Sequence, residues 1–217
     1  LQPGIVINNR GMDEGDFGTP ERDWDEFVNS EPAFARPIEA CQSLGFQSWG
    51  WRRNEDYYSE AHLLGSIQKI LAKGGNFLLN VGPRADGAFP GAAKRLLSRI
   101  GAWHAAVKEA LLDAAPASGL LSGSDALLTR RGNNLYVHLH RQPIADAVYL
   151  HPIADLPRRA IVLNTGRAAR VDVADLPRLH AAAPNRCLRI FRLPINKQSL
   201  AGWVIKLEFD RLPACLE

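Results

Sequence analysis

The stretch Lys73-Gly-Gly-Asn-Phe-Leu-Leu-Asn-Val-Gly-Pro-Arg-Ala-Asp-Gly87 constrains this chain more than any other. Asn76 to Val81 are mostly apolar and do not alternate, the pattern of a parallel-sheet strand covered on both faces. Gly74 and Gly75 close a preceding helix, and Gly82-Pro83 end the strand abruptly. Asn76 and Asn80 are the odd members, because amides in a buried strand need hydrogen-bond partners.

Upstream, Ile5-Val6-Ile7 is a short β-branched run that reads as a buried strand, ending in Asn8-Asn9-Arg10. Residues 11–36 form a long irregular segment rich in Gly, Pro and acids, a length of loop that usually serves function or is disordered. Gln47 to Trp51 reads as the next strand. Ser59 caps a helix whose Leu63, Leu64, Ile67, Ile70 and Leu71 share one face. Pro90 opens a second helix with Leu96, Ile100, Trp103, Val107 and Leu111 as its buried stripe, and Gly101 inside it is expected to allow close packing. The order strand, loop, strand, helix, strand, helix fits consecutive pieces of a β/α barrel, with polar residues following the strands. Three strands against the eight of a closed barrel leave most of it outside this sequence.

The style changes at Ala114-Ala-Pro-Ala-Ser-Gly-Leu120, which reads as a linker. Beyond it short strands are expected at 126–131, 135–140, 147–151, 169–174, 187–192 and 203–209. Gly132-Asn-Asn134 signals a hairpin, and Leu135 to His140 alternates as a half-buried strand should. The fold class is therefore α/β followed by all-β: a partial (β/α)8-type barrel over residues 1–113, with about three strands and two helices, and a β-sandwich over 114–217.

Composition excludes some classes of function. With 46% hydrophobic and 23% charged residues the chain is globular, and its net charge of +3 gives little reason to propose nucleic acid as a partner. The Arg pairs at 52–53, 130–131 and 158–159 read as solvated surface. No apolar run approaches the ~20 residues that cross a bilayer. Cys41, Cys187 and Cys215 form neither a metal spacing nor a disulfide framework and read as buried or inert thiols, which leaves the compartment open. The chain begins Leu-Gln-Pro-Gly, without start Met or signal peptide, and Leu1 reads as an interior point of a longer protein.

The wording of the central stretch says more than its pattern. Gly-Gly-Asn-Phe-Leu-Leu-Asn-Val-Gly-Pro-Arg-Ala-Asp-Gly closely resembles a signature of the family 29 glycoside hydrolases, the α-L-fucosidases. Val6-Ile-Asn-Asn-Arg10, Gly15-Asp-Phe-Gly-Thr-Pro-Glu21 and Ser48-Trp-Gly-Trp51 match further motifs in the same order, so the resemblance spans about residues 4 to 112. It implies a retaining glycosidase with a C-terminal β-sandwich, acting on terminal α-linked L-fucose of glycans or oligosaccharides without metal or nucleotide cofactor. Retaining enzymes need two carboxyls about 5–5.5 Å apart.

By the resemblance, Glu21 is the general acid/base, Arg10 reaches into the sugar pocket, and Trp49 packs on the apolar side of fucose and its methyl group. Partial burial beside a second carboxylate would raise the Glu21 pKa. An exposed loop glutamate, a structural salt bridge for Arg10 and core packing for Trp49 are the plain alternatives. Asp13, Glu14 and Asp16 compete with Glu21, Asp16 more as an anchor of the loop. Asn9 stands where the family's motif usually has Asp, which puts the partner of Arg10 in doubt. Trp51, His62 and Trp103 read as structure, and His138, His140 and His151 as surface residues rather than ligands. The family's nucleophile, an aspartate after an earlier barrel strand, matches nothing here. A companion N-terminal segment or a homo-oligomer is therefore expected, with a non-catalytic carbohydrate-binding module or a structural fragment as the alternatives.

Overall fold

The structure, a computed structural model, describes residues 2–11, 15–22, 30–120, 126–176 and 185–213. Strand β1 (Glu39–Ser43) pairs in parallel with β2 (Asn76–Asn80), Glu39 opposite Asn76 and Ser43 opposite Asn80. Parallel bridges continue the pairing upstream: Glu21 lies opposite Cys41, Gly18 opposite Ile38, and Asn8 opposite Phe17. Backbone bonds follow the same line, from Cys41 N to Pro20 O at 2.9 Å and from Asn9 N to Phe17 O at 3.1 Å. The chain near Asn8, the segment 17–21, β1 and β2 thus lie side by side, parallel and in chain order. Parallel neighbours need a crossover, and helix α1 (Glu60–Ala72) lies on the one between β1 and β2.

Ser59 caps α1 as its sequence predicts, its hydroxyl accepting the His62 amide at 3.2 Å. The helix buries Leu63, Leu64, Ile67 and Ile70 and stops before Gly74, whose φ of +85° a side chain would resist. Helix α2 (Gly91–Val107) follows Pro90 and buries Ile100, Trp103 and Val107, and one further 3-10 turn brings Leu111 inside.

The second half contains β3 (Ala115–Pro116), β4 (Leu127–Arg131), β5 (Asn134–Leu139), β6 (Ala147–Leu150), β7 (Arg159–Val162), β8 (Arg167–Ala168), β9 (Arg170–Leu176), β10 (Asn185–Phe191) and β11 (Trp203–Glu208). They pair antiparallel in two sheets, ordered β3-β4-β5-β11-β7-β8 and β6-β10-β9. Leu128, Val137, Ile205 and Leu207 of the first sheet share one core with Val148, Leu150, Leu188 and Ile190 of the second. This is a β-sandwich, and burying each such side chain contributes about 1.5–3 kcal/mol.

Several expectations change. Ile5-Val6-Ile7 is neither buried nor a strand: the three are 56%, 68% and 54% exposed, and the segment forms a bridge at Asn8 with the Asp16 bonds to Ile7 beside it. Residues 47–51 are a loop, and the strand is β1, one step earlier, where Ile38, Ala40 and Gln42 alternate inward. Strand β2 forms as predicted, but its cover is incomplete, with Leu78 43% exposed. Gly101 faces open space rather than a packed neighbour. Ala115-Pro116, inside the stretch that reads as a linker, is an edge strand against Thr129 and Arg130. Strands β7 and β8, four and two residues long, are additional to the expected ones and too short to stand out in sequence.

The helices explain the largest departure. They pack Leu63, Leu64, Ile100 and Trp103 against Tyr136 and Val204, on the face of the six-stranded sheet turned away from the sandwich core. The Trp103 indole donates to Gly202 O at 2.6 Å, and α1 comes so close at Gly65 that a Cβ there would sit 2.2 Å from His140 O. Strand β5 is consequently buried on both faces instead of alternating. His138, expected on the surface, is wholly buried: its Nε2 lies 2.9 Å from Thr129 Oγ1, whose hydroxyl donates to Ala110 O at 2.7 Å. The Thr129 proton is used on Ala110, so His138 Nε2–H is the donor in that pair and the imidazole is neutral.

Burial, helped by neighbouring His140, pushes the His138 pKa down to about 3. The unfolded chain holds this imidazole at about 6.5. Its share of stability is therefore complete above that pH and is lost as pH falls from there towards the folded value. Urea unfolding between pH 7 and 4 should show a declining midpoint, and His138→Gln should flatten the decline. A His138→Gln slope equal to that of the parent would assign the acid sensitivity to other groups.

Candidate functional site

The parallel array brings its C-terminal ends together, and the candidate residues leave from those ends. Arg10 follows the first segment, Glu21 ends the second, the loop carrying Trp49 follows β1, and Asn80 ends β2. Arg10 Nη1 donates to the Glu21 carboxylate, its Nε to Thr19 Oγ1 at 3.0 Å and its Nη2 to Thr19 O at 3.2 Å. Asn9 Oδ1 accepts both the Thr19 amide, at 3.0 Å, and the Thr19 hydroxyl, at 2.8 Å. An amide oxygen accepts these bonds as a carboxylate would. The Asp-to-Asn departure at Asn9 therefore keeps the loop tied, and Arg10 takes its charge partner from Glu21.

The Arg10 and Glu21 side chains are 47% and 45% exposed, so the pair is open to solvent and to a ligand. The expected burial beside a second carboxylate does not occur among the described residues, where the Glu21 neighbour is the Arg10 guanidinium. Asp16 accepts the Ile7 amide at 2.8 Å and anchors the loop; Asp13 and Glu14 lie outside the described residues.

Trp49 sits part-exposed in a loop braced from several sides. Asn80 Nδ2 donates to Trp49 O at 2.7 Å and to Ser43 Oγ at 3.2 Å, so the amide at the end of β2 finds the partners its position demands. Gly82 is required by close approach: a Cβ there would lie 2.4 Å from Gly50 C and 2.5 Å from Trp51 N. Trp51, expected as a packing residue, is 43% exposed, because its backbone rather than its ring meets Gly82. His62 stacks on Tyr58 with centroids 4.5 Å apart, a structural role. Cys41, in β1 opposite Glu21, is half-buried, and burial first, then the Glu21 charge, pushes its thiol pKa up. Cys187 is buried and Cys215 lies outside the described residues.

Sequence reasoning missed Arg22. Its side chain is buried, with the guanidinium carbon 4.9 Å from the Trp49 ring centroid and 5.7 Å from that of Tyr58. Nη1 donates to Phe46 O at 2.6 Å and to Tyr58 Oη at 2.8 Å. Its φ of +58° is unusual for a residue with a side chain, a conformation costing about 1–3 kcal/mol that persists where surrounding contacts over-determine it. No local signal marks it, because these hydrogen-bond partners are 24 and 36 residues away. Adjacent in the chain, Glu21 points out to Arg10 and Arg22 points in to Trp49. One backbone turn thus ties the candidate acid to the candidate aromatic.

Comparison with known proteins identifies the family. The family described as alpha-L-fucosidase matches residues 1–109. Tissue alpha-L-fucosidase of Bos taurus is 28% identical over 130 residues, 58% of this chain and 28% of the relative. The Homo sapiens tissue enzyme is 32% identical over 81 residues, 36% of this chain and 17% of the relative. Among solved structures, alpha-L-fucosidase isoenzyme 1 from Paenibacillus thiaminolyticus superposes with a TM-score of 0.69 at 26% identity, over 97% of this chain and 51% of that one. An alpha-L-fucosidase from Vibrio sp. strain EJY3 shares the fold with a TM-score of 0.73, over 94% of this chain and 36% of that one. The chain spans about half of the first structure and less of the curated relatives. It belongs to the α-L-fucosidase family, the family 29 glycoside hydrolases.

If Arg22 positions Trp49, Arg22→Met should broaden or shift the Trp49 indole resonance and lower stability by on the order of 2 kcal/mol. Arg22→Lys should recover charge but not the two-acceptor geometry, leaving the indole displaced. An unmoved Trp49 resonance in folded Arg22→Met would separate the two residues.

Proposed function

We propose that this chain is the C-terminal portion of a retaining, exo-acting α-L-fucosidase that removes terminal α-linked L-fucose from glycans or oligosaccharides. Residues 1–113 would be the closing part of a β/α barrel and residues 114–217 its β-sandwich domain. One observation carries the reading: four parallel segments in chain order deliver Arg10, Glu21 and the Trp49 loop to one end, where β/α barrels build their sites.

In this reading Glu21 is the acid/base. It protonates the leaving oxygen in the first step and takes a proton from the attacking water in the second. Its exposure lets a glycosidic oxygen reach it. Arg10 holds the carboxylate oriented and offers the remaining guanidinium edge to sugar hydroxyls. Trp49, steadied by Arg22, presents an apolar indole to the C–H-rich face and methyl group of fucose. The nucleophilic carboxylate comes from a companion N-terminal segment or from a neighbouring copy.

Glu21→Gln in the completed enzyme should slow substrates with poor leaving groups by on the order of 10²–10⁴-fold, while activated aryl fucosides, which need no proton, lose far less in the first step. Equal losses on both would move the role to another group. Trp49→Ala should weaken fucose binding by roughly 1–3 kcal/mol, and unchanged affinity in a folded variant would return Trp49 to packing. Sedimentation with an aryl-fucoside assay tests the division of the site. Hydrolysis is expected only when the companion segment is added or a copy donates a carboxylate, and an active monomer of this chain alone would overturn it. Fucose binding without hydrolysis in every assembly would make the chain a carbohydrate-binding module.

A further inference from the structure

The sandwich carries a crevice of about 370 Å³ between the β7–β8 hairpin and the chain leaving β10. Its size falls at the lower end of small-ligand pockets. Arg167, Arg170, Arg192 and Lys197 line it beside Phe191 and Trp203, and none of its lining residues is acidic. No carboxylate pairs with these four cations among the described residues. The acid nearest in register is already matched: Asp172, two residues along β9 from Arg170, is forked by the Arg189 guanidinium, with one bond of 2.8 Å. Arg192 is held with φ of +56°, a left-handed conformation that the strand end imposes on a residue with a long charged side chain. The imbalance is general on this side of the protein. Residues 114–217 hold 14 Lys and Arg against 8 Asp and Glu, whereas residues 1–113 hold 12 against 15.

Four cations around a small concavity repel one another and gain nothing for the fold by being there. An anion neutralises them, and planar guanidinium groups suit the paired oxygens of sulfate and carboxylate. Trp203 adds an apolar wall of the kind that packs on sugar C–H faces, while the Phe191 ring already carries the Arg189 guanidinium 4.8 Å from its centroid. A concavity of this size takes one or two sugar units and offers no extended track for a nucleic-acid backbone. We propose that this crevice is an anion-binding subsite for a sulfated or carboxylated saccharide, so that the glycan brought to the site is an acidic one. The proposal rests on the fucosidase reading for the sugar, while the anion preference rests on the crevice alone.

Calorimetric titration of the protein with a heparin tetrasaccharide, its fully desulfated counterpart, a neutral fucosylated tetrasaccharide and a single-stranded oligonucleotide of similar charge provides the test. Arg167→Gln/Arg192→Gln should weaken the heparin tetrasaccharide by about tenfold per arginine removed. Lys94→Gln/Arg95→Gln, which removes the same charge from exposed positions on α2, should leave it nearly unchanged. Retained affinity for the desulfated sugar assigns the recognised group to carboxylate, and its loss assigns it to sulfate ester; each supports the subsite. Equal weakening in both double variants, equal binding of the neutral sugar, or equal binding of the oligonucleotide would overturn it. Hydrolysis of a small neutral aryl fucoside by the completed enzyme should be unaffected by Arg167→Gln/Arg192→Gln. Failure of that hydrolysis in the parent, with anion binding intact, would sink the fucosidase reading and leave the subsite standing.

Discussion

The structure depends first on parallel pairing in chain order. A parallel ladder fixes which end of each strand faces the same way, and here that ordering turns distant loops into neighbours. Glu21 opposite Cys41 and Cys41 opposite Leu78 set the height of the acid-bearing loop against β1 and β2. Asn80, at the end of β2, then catches the Trp49 carbonyl. Slipping this register by one residue would turn Ile38, Ala40 and Gln42 out of the interior and shift Glu21 and Arg22 away from the loop that carries Trp49.

The second constraint is that one sheet serves two cores. The six-stranded sheet closes the sandwich with one face and receives α1 and α2 on the other. That double use makes β5 buried throughout, forces His138 to be neutral and paired with Thr129, and demands glycine where α1 meets His140. It also joins the two halves, since Trp103 from α2 reaches Gly202 beside β11. Helix α1, which carries the chain from β1 to β2, and α2, which follows β2, are thereby fixed against the six-stranded sheet.

Both helices, the strand at 76–80 and six of the sandwich strands were legible in sequence, because caps, glycine stops and apolar spacing are local signals. The strand at 39–43 was not, since its short alternation around Ile38, Ala40 and Gln42 carries a glutamine inward. The burial of His138 was hidden for a different reason: period-two alternation predicts one wet face, and nothing in residues 134–139 announces helices from residues 60–107. At the site, Arg10, Glu21 and Trp49 were marked by motif, whereas Arg22 was silent because its bonds to Phe46 and Tyr58 span 24 and 36 residues. The exposure of Ile5 to Ile7 shows the opposite failure, where apolar composition alone suggested a core that these residues do not enter.

We propose that Arg10, Glu21 and Trp49 meet fucose together at the end of the parallel array. Nuclear magnetic resonance titration of the labelled chain with L-fucose reads this most directly, through the Arg10 Nε–H and Trp49 indole N–H signals. The account predicts that both move along one saturation curve and that L-galactose, which places a hydroxyl on the carbon of the fucose methyl, moves them less. Shifts confined to the sandwich, or no difference between the two sugars at Trp49, would contradict it.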